Sequence, residues 1–145
     1  MLLLLILLAL AGAAILIWSF MIEPLRLRLQ TTTITSPKLT QTCSVLYFSD
    51  LHYSQFFNQK FLMKLQTTIN RESCDVILFG GDLIDRQLVP SQSTLDQLEH
   101  FLHSLQAEKK IAIWGNHEHL GELGLHHLEK LYQDSGFILL NNRHL

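Results

Sequence analysis

The chain has 145 residues and a net charge of −2, and its apolar content is concentrated at one end: 20 of the first 22 residues are apolar, interrupted only by Gly12 and Ser19. All charged side chains, 11 basic and 13 acidic, follow Ile22. This balance excludes a disordered polyelectrolyte and carries no nucleic-acid-binding signal, which calls for a basic excess; the absence of a second long apolar run excludes a multi-pass membrane protein.

In chain order, Leu2 to Ile22 comes first. At 1.5 Å per residue a helix over this run is about 31 Å long, matching a hydrocarbon core of about 30 Å. A cleavable signal peptide needs a basic stretch before the apolar run and a small-residue site after it. Here no Lys or Arg precedes the run, and Ala9, Ala11, Ala13 and Ala14 lie inside it. The expectation is an uncleaved single-pass transmembrane anchor over residues 1–23, with membrane lipid as its partner. Arg26, Arg28 and Lys38 follow closely, which leans the rest of the chain toward the cytoplasmic side by the positive-inside rule.

Leu25 to Leu29 alternates with period two and Thr31 to Thr35 is rich in β-branched residues, so 24–42 reads as a membrane-proximal strand or hairpin and its connection. Residues 43–145 read as one α/β domain. Cys43–Ser49 is a short apolar run, as expected of a strand buried on both faces. Phe57, Phe61, Leu65 and Ile69 recur every four residues and predict a helix. Val76–Phe79 is the next strand. Leu95, Leu98, Leu102 and Leu105 mark a second helix, opened by Ser93 with Asp96 three residues on, close to a capping box. Ile111–Trp114 is a third strand; Leu125, Leu128, Leu131 and Tyr132 mark a third helix stopped by Gly136; Phe137–Leu140 is a fourth strand. Regular alternation of this kind predicts βαβ units and a mainly parallel sheet. Cys43 and Cys74 each open an apolar run, where a thiol usually serves as a small core residue, and two cysteines are too few for a disulfide framework.

In such sheets ligands bind beyond the carboxyl ends of the strands. There the sequence places Asp50 and His52, then Gly80, Gly81 and Asp82, then Gly115, Asn116, His117 and Glu118. Singly, each motif reads more readily as a polar loop or turn than as a ligand set. Together, at equivalent strand ends, they predict a metal site. Asp50 and His52, two apart in extended backbone, project to one side and can hold one cation. Asp82, on the middle of the three strands in sequence, is suited to bridge two ions, with Asn116 starting the ligand set of the second. Carboxylate, imidazole and amide donors suit Mn, Fe or Zn. A water activated between two such ions can attack phosphorus in line, and His117 can protonate the leaving oxygen as general acid.

The ordered set D-x-H (Asp50, His52), G-D-x-x-D (Gly81, Asp82, Asp85) and G-N-H-E (Gly115 to Glu118) resembles that of the calcineurin-like metallophosphoesterases, most closely the bacterial branch with an N-terminal membrane segment. The resemblance covers about residues 25–145. It implies a two-sheet sandwich flanked by helices, of which this length is the first half. It also implies two divalent metal ions held in part by Asp50, His52, Asp82 and Asn116, with His117 assisting catalysis. The reaction implied is hydrolysis of a phosphate mono- or diester. That family continues with a further His and a G-H-x-H motif that supply the remaining ligands, and neither is present here: the other histidines are His100, His103, His119, His126, His127 and His144. The expectation is therefore the N-terminal part of such an enzyme, C-terminally incomplete; the alternative is a non-catalytic tethered fragment or a phosphate- or metal-binding module. Substrate identity and oligomeric state have no signature in the sequence.

Overall fold

The computed structural model describes residues 1–23, 26–54, 59–120 and 124–144, apart from the side chains of Phe20, Met21 and Leu120. The chain divides into two units, Met1–Pro37 and Lys38–Leu145.

In the first unit, helix α1 runs from Leu2 to Ile17, 16 residues, and passes into a five-residue π-helical segment, Trp18–Ile22. The α-helical register is thus lost at Trp18, and 16 residues of α-helix reach only about 24 Å against a hydrocarbon core of about 30 Å. Among the described residues no helix is long and apolar enough to cross a membrane. The expected transmembrane anchor is corrected on this ground, and the single-pass membrane localisation and the lipid partner that rested on it are withdrawn with it. The expected strand after it does not form either: residues 26–36 carry no strand, and Leu25 lies outside the described residues. Arg28 and Arg26 instead both turn back on Glu23, at 2.7 and 3.3 Å, and the Arg26 N–H donates to the Glu23 carbonyl. Two arginines sharing one exposed acid explain the period-two spacing without a ladder partner; pairs of this kind add little stability.

In the second unit the βαβ reading holds. Strands β1 (Val45–Phe48), β2 (Val76–Phe79), β3 (Lys109–Ala112) and β4 (Phe137–Leu139) form one parallel sheet in the order β1-β2-β3-β4. The crossovers are helix α2 (Gln59–Arg71), helix α3 (Gln92–Ser104) and helix α5 (Leu125–Asp134), with a short helix α4 (Asn116–Leu120) before α5. Phe57, expected in the first of these, lies outside the described residues. The cap of α3 is Ser91, whose hydroxyl accepts from the Thr94 N–H, two residues before the predicted Ser93. Gly136 adopts φ +78° just past α5, the left-handed conformation that ends helices.

Strands taken in sequence order through crossovers of one hand put all crossover helices on one face of the sheet. Accordingly α2 packs on α3 and α3 on α5. Between them and the sheet lies the core: Ile77, Phe79, Leu98, Phe101, Leu102, Tyr132 and Phe137. Lys110 also points into this layer. Its Nζ donates to the carbonyls of Leu102 (3.1 Å) and Ser135 (2.6 Å), tying the C-terminal ends of α3 and α5 to β3, and burial lowers its pKa.

The other face is where expectation and structure part. Val45 and Tyr47 of β1 are 53% and 65% exposed, and Ile113 after β3 and Ile138 of β4 are exposed as well. The register places Tyr47, Leu78, Ile111 and Ile138 in one row across the sheet. β1 is therefore open on one face, whereas Ile111 in the same row is buried, and among the described residues one sheet forms, not the two of the expected sandwich. Of the two thiols, Cys74 is buried and Cys43 is exposed; both are free.

Candidate metal centre

The backbone pairing of β1 and β2 does not stop with the strands. The N–H groups of Asp50, His52 and Tyr53 donate to the carbonyls of Gly81 (3.1 Å), Asp82 (2.9 Å) and Leu83 (2.9 Å). The two loops thus leave the sheet together and carry the first two motifs side by side. They do so in a constrained conformation: Asp50 (φ +56°), His52 (φ +43°) and Asp82 (φ +57°) are all left-handed, as is Gly81 (φ +88°). The extended backbone expected at Asp50 and His52 is therefore corrected. Left-handed non-glycine residues are strained and persist where the surroundings fix them, often at functional sites. The two side chains still meet, with His52 Nε2 3.6 Å from Asp50 Oδ1.

The third motif packs against the second through two glycines. A Cβ on Gly81 would run into the backbone of Gly115, and a Cβ on Gly115 would occupy the space taken by the Asp82 carboxylate and its backbone nitrogen. With both side chains absent, the start of α4 lies directly against Asp82. There Asp82 Oδ1 accepts the His117 N–H at 2.7 Å. Gly115 has no side chain to cap α4, and Asp82 supplies the cap from the neighbouring loop.

These contacts bring three side chains together. One ligand atom from each of His52, Asp82 and His117 lies within 4.8 Å of the others, and the two imidazole rings are 4.3 Å apart in an edge-on arrangement. His52 Nδ1 is buried and has no hydrogen-bond partner among the described residues. His117 Nδ1 accepts from the Arg86 N–H at 3.2 Å, so the neutral ring carries its proton on Nε2. The buried His52 nitrogen, unpartnered among the described residues, beside the Asp82 carboxylate fits a divalent cation, for which such donors bind at about 2.0–2.2 Å, while His117, with Nδ1 occupied and Nε2 protonated, stands beside the cation rather than on it.

The other residues singled out in the sequence lie around this cluster. The Asp50 side chain is exposed and hydrogen-bonded to the Ser49 hydroxyl. Asn116 is exposed at the first position of α4. Asp85 accepts the Gln87 N–H in a turn beyond the cluster. His100, His103, His126 and His127 lie exposed on α3 and α5, as expected of solvent-facing helix positions.

Sequence reasoning gave two neighbours of the cluster no role. Glu118 is 3% exposed and accepts three backbone N–H groups, from Leu83 (2.7 Å), Gly115 (2.9 Å) and Asp82 (3.0 Å). Its signal was legible: a Glu three residues after a glycine that opens a helix is the acidic half of a capping box. Tyr132 of α5 has a hydroxyl that is buried without a hydrogen-bond partner among the described residues. Burial, and then the negative charges of Glu118 and Asp82, push its phenol well above 10.

Residues 43–144 match the family profile described as calcineurin-like phosphoesterase. The chain therefore belongs to the calcineurin-like phosphoesterase family, a family of hydrolases. Among curated proteins it is similar to the uncharacterized metallophosphoesterase YkuE of Bacillus subtilis, with 32% identity over 105 residues, 68% of this chain and 34% of that protein. It is also similar to the UDP-2,3-diacylglucosamine pyrophosphatase LpxG of Chlamydia trachomatis, with 32% identity over 107 residues, 71% of this chain and 32% of that protein. The chain thus spans about a third of the length of these relatives. Among solved structures, that of Pseudomonas putida nuclease MPE matches with a TM-score of 0.44 and 16% identity, over 66% of this chain and 46% of that one.

Proposed function

We propose that residues 43–145 carry the first part of the metal centre of a metal-dependent phosphoesterase that hydrolyses phosphate mono- or diesters with two divalent ions, Mn, Fe or Zn. The observation that carries this reading is the convergence of His52, Asp82 and His117 at the carboxyl end of a parallel sheet, with the His52 Nδ1 buried and unpartnered. Asp50, His52 and Asp82 would hold one ion, and Asp82 and Asn116 the other. When bound, divalent ions supply Lewis-acid stabilisation of phosphoryl oxygens and lower the pKa of a water.

The chain's own residues supply the rest. The backbone hydrogen bonds from Asp50 and His52 to Gly81 and Asp82 hold these left-handed residues side by side beyond the strand ends. The Arg86 N–H on His117 Nδ1 fixes the neutral tautomer, leaving a proton on Nε2 to donate toward a phosphoryl or leaving oxygen. The relative acting on a diacylated sugar nucleotide supports a phosphate ester or anhydride as substrate class. The test is hydrolysis of p-nitrophenyl phosphate and bis-p-nitrophenyl phosphate by the 145-residue chain with added Mn²⁺, alongside Asp82→Asn. Turnover that needs Mn²⁺ and falls by about 100-fold or more in the variant is expected, from loss of a metal ligand. Equal turnover in the two proteins removes Asp82 from the reaction, and metal binding without turnover identifies a binding module.

A further inference from the structure

Glu118 is a buried carboxylate, and among the described residues no Lys or Arg pairs with it. A buried charge persists only where hydrogen bonds replace its lost hydration. Here the replacement consists entirely of backbone: Oε2 takes the N–H groups of Asp82 and Gly115, and Oε1 takes that of Leu83. Two of these three donors belong to the loop after β2 and the third to the loop after β3.

The arrangement is reciprocal. Asp82 Oδ1 caps α4 by accepting the His117 N–H, while Glu118 on α4 accepts the N–H of Asp82 itself. In an ordinary capping box one helix start satisfies itself. Here the box is shared between two loops, with Asp82 in the place of the N-cap side chain that Gly115 lacks. The left-handed backbone at Asp82 is strained, and it needs an anchor that prevents relaxation. The hydrogen bonds from the N–H groups of Asp82 and Leu83 to one carboxylate provide that anchor.

On the reading of Asp82 as a metal ligand, we infer that Glu118 is a positioning residue: its carboxylate fixes Asp82 and the start of α4 as one unit, presenting the Asp82 carboxylate to the metal without touching the metal itself. Residues that orient ligands in this way typically carry about 10- to 100-fold of metal affinity.

The test titrates Mn²⁺ into the full chain, followed by electron paramagnetic resonance of the free ion, for wild type, Glu118→Gln and Leu98→Ala. The glutamine keeps the shape but has one acceptor oxygen and turns an amide N–H₂ toward a backbone donor. Leu98 is fully buried on α3 and makes none of the cluster's contacts, so its truncation loosens the fold without touching the box. The expected result is Mn²⁺ affinity about tenfold or more weaker in Glu118→Gln and unchanged in the folded fraction of Leu98→Ala. Wild-type affinity in Glu118→Gln, or an equal loss in Leu98→Ala, overturns the inference and leaves the metal centre standing. Failure of the wild type to bind Mn²⁺ overturns the metal centre and the inference together. If Glu118→Gln does not fold, amide exchange in the wild type decides: protection of the Asp82, Leu83 and Gly115 amides comparable to Ile77 and Phe79 supports the anchor, and exchange as fast as an exposed loop refutes it.

Discussion

Replacing Gly115 with alanine puts one methyl group where the second and third motifs meet. Built on the present backbone, that Cβ overlaps Asp82 Oδ1 and comes within 2.5 Å of both Asp82 Cγ and the Asp82 backbone nitrogen. Rotating the carboxylate away relieves only part of the overlap, since the backbone nitrogen is held by Glu118. The loops must separate. Overpacking of this kind costs about 1–3 kcal/mol. Moving Asp82 also breaks the hydrogen bond from the His117 N–H to its carboxylate, one to a charged group and worth about 1.5–3 kcal/mol. The expected loss is about 3–5 kcal/mol, which for a domain of roughly 100 residues lowers Tm by more than about 10 °C. Urea unfolding of wild type and Gly115→Ala, read by far-UV circular dichroism at pH 7, measures it. A loss below about 1 kcal/mol would mean that the two loops are not in contact as described, and the shared cap between Asp82 and α4 would go with them.

Two further predictions concern groups away from the proposed ligands. The Tyr132 hydroxyl is buried without a partner, so Tyr132→Phe removes an uncompensated polar group and keeps the ring contacts with Phe79, Trp114 and Phe137; the urea midpoint should rise by the equivalent of about 1 kcal/mol, and a fall of that size would reveal a partner for the hydroxyl. Asp75 accepts the N–H and hydroxyl of Ser44 at 2.6 and 2.8 Å, and these bonds lower its pKa below 3.8. A depressed carboxylate contributes stability that is present above its unfolded value and lost as pH falls through the folded one. The wild-type urea midpoint should therefore decline more steeply than that of Asp75→Asn as pH drops below about 4, and parallel curves would contradict the assignment.

The parts of this fold that were legible in the sequence are those decided by short-range pattern. Val76–Phe79 is a strand with the bounds its apolar run gives, and Leu125, Leu128, Leu131 and Tyr132 lie on α5 as their spacing predicts. The convergence of His52, Asp82 and His117 was legible too, because parallel strands bring their carboxyl ends to one edge whatever the intervening loops do. What was not legible depends on partners. An apolar run cannot reveal where its helix changes register, as α1 does at Trp18. The alternation at Leu25 to Leu29 cannot reveal whether a ladder partner exists, and Arg26 and Arg28 found Glu23 instead. The left-handed turns at Asp50 and His52 are set by hydrogen bonds to Gly81 and Asp82, 31 and 30 residues away. The exposed face of Val45 and Tyr47 follows from the strand order, which places every crossover helix on the opposite side. Glu118 was visible as a letter in a motif, but its three backbone donors come from two loops that only the fold brings together.

The central claim is that His52 and Asp82, with His117 beside them, form the beginning of a metal centre. Mn²⁺ titrated into the 145-residue chain and into Asp82→Asn, with the free ion followed by electron paramagnetic resonance, tests it most directly. Saturable binding by the wild type, weakened by about tenfold or more in the variant, is the predicted result. Binding of equal strength in both proteins, or none in the wild type, would contradict it.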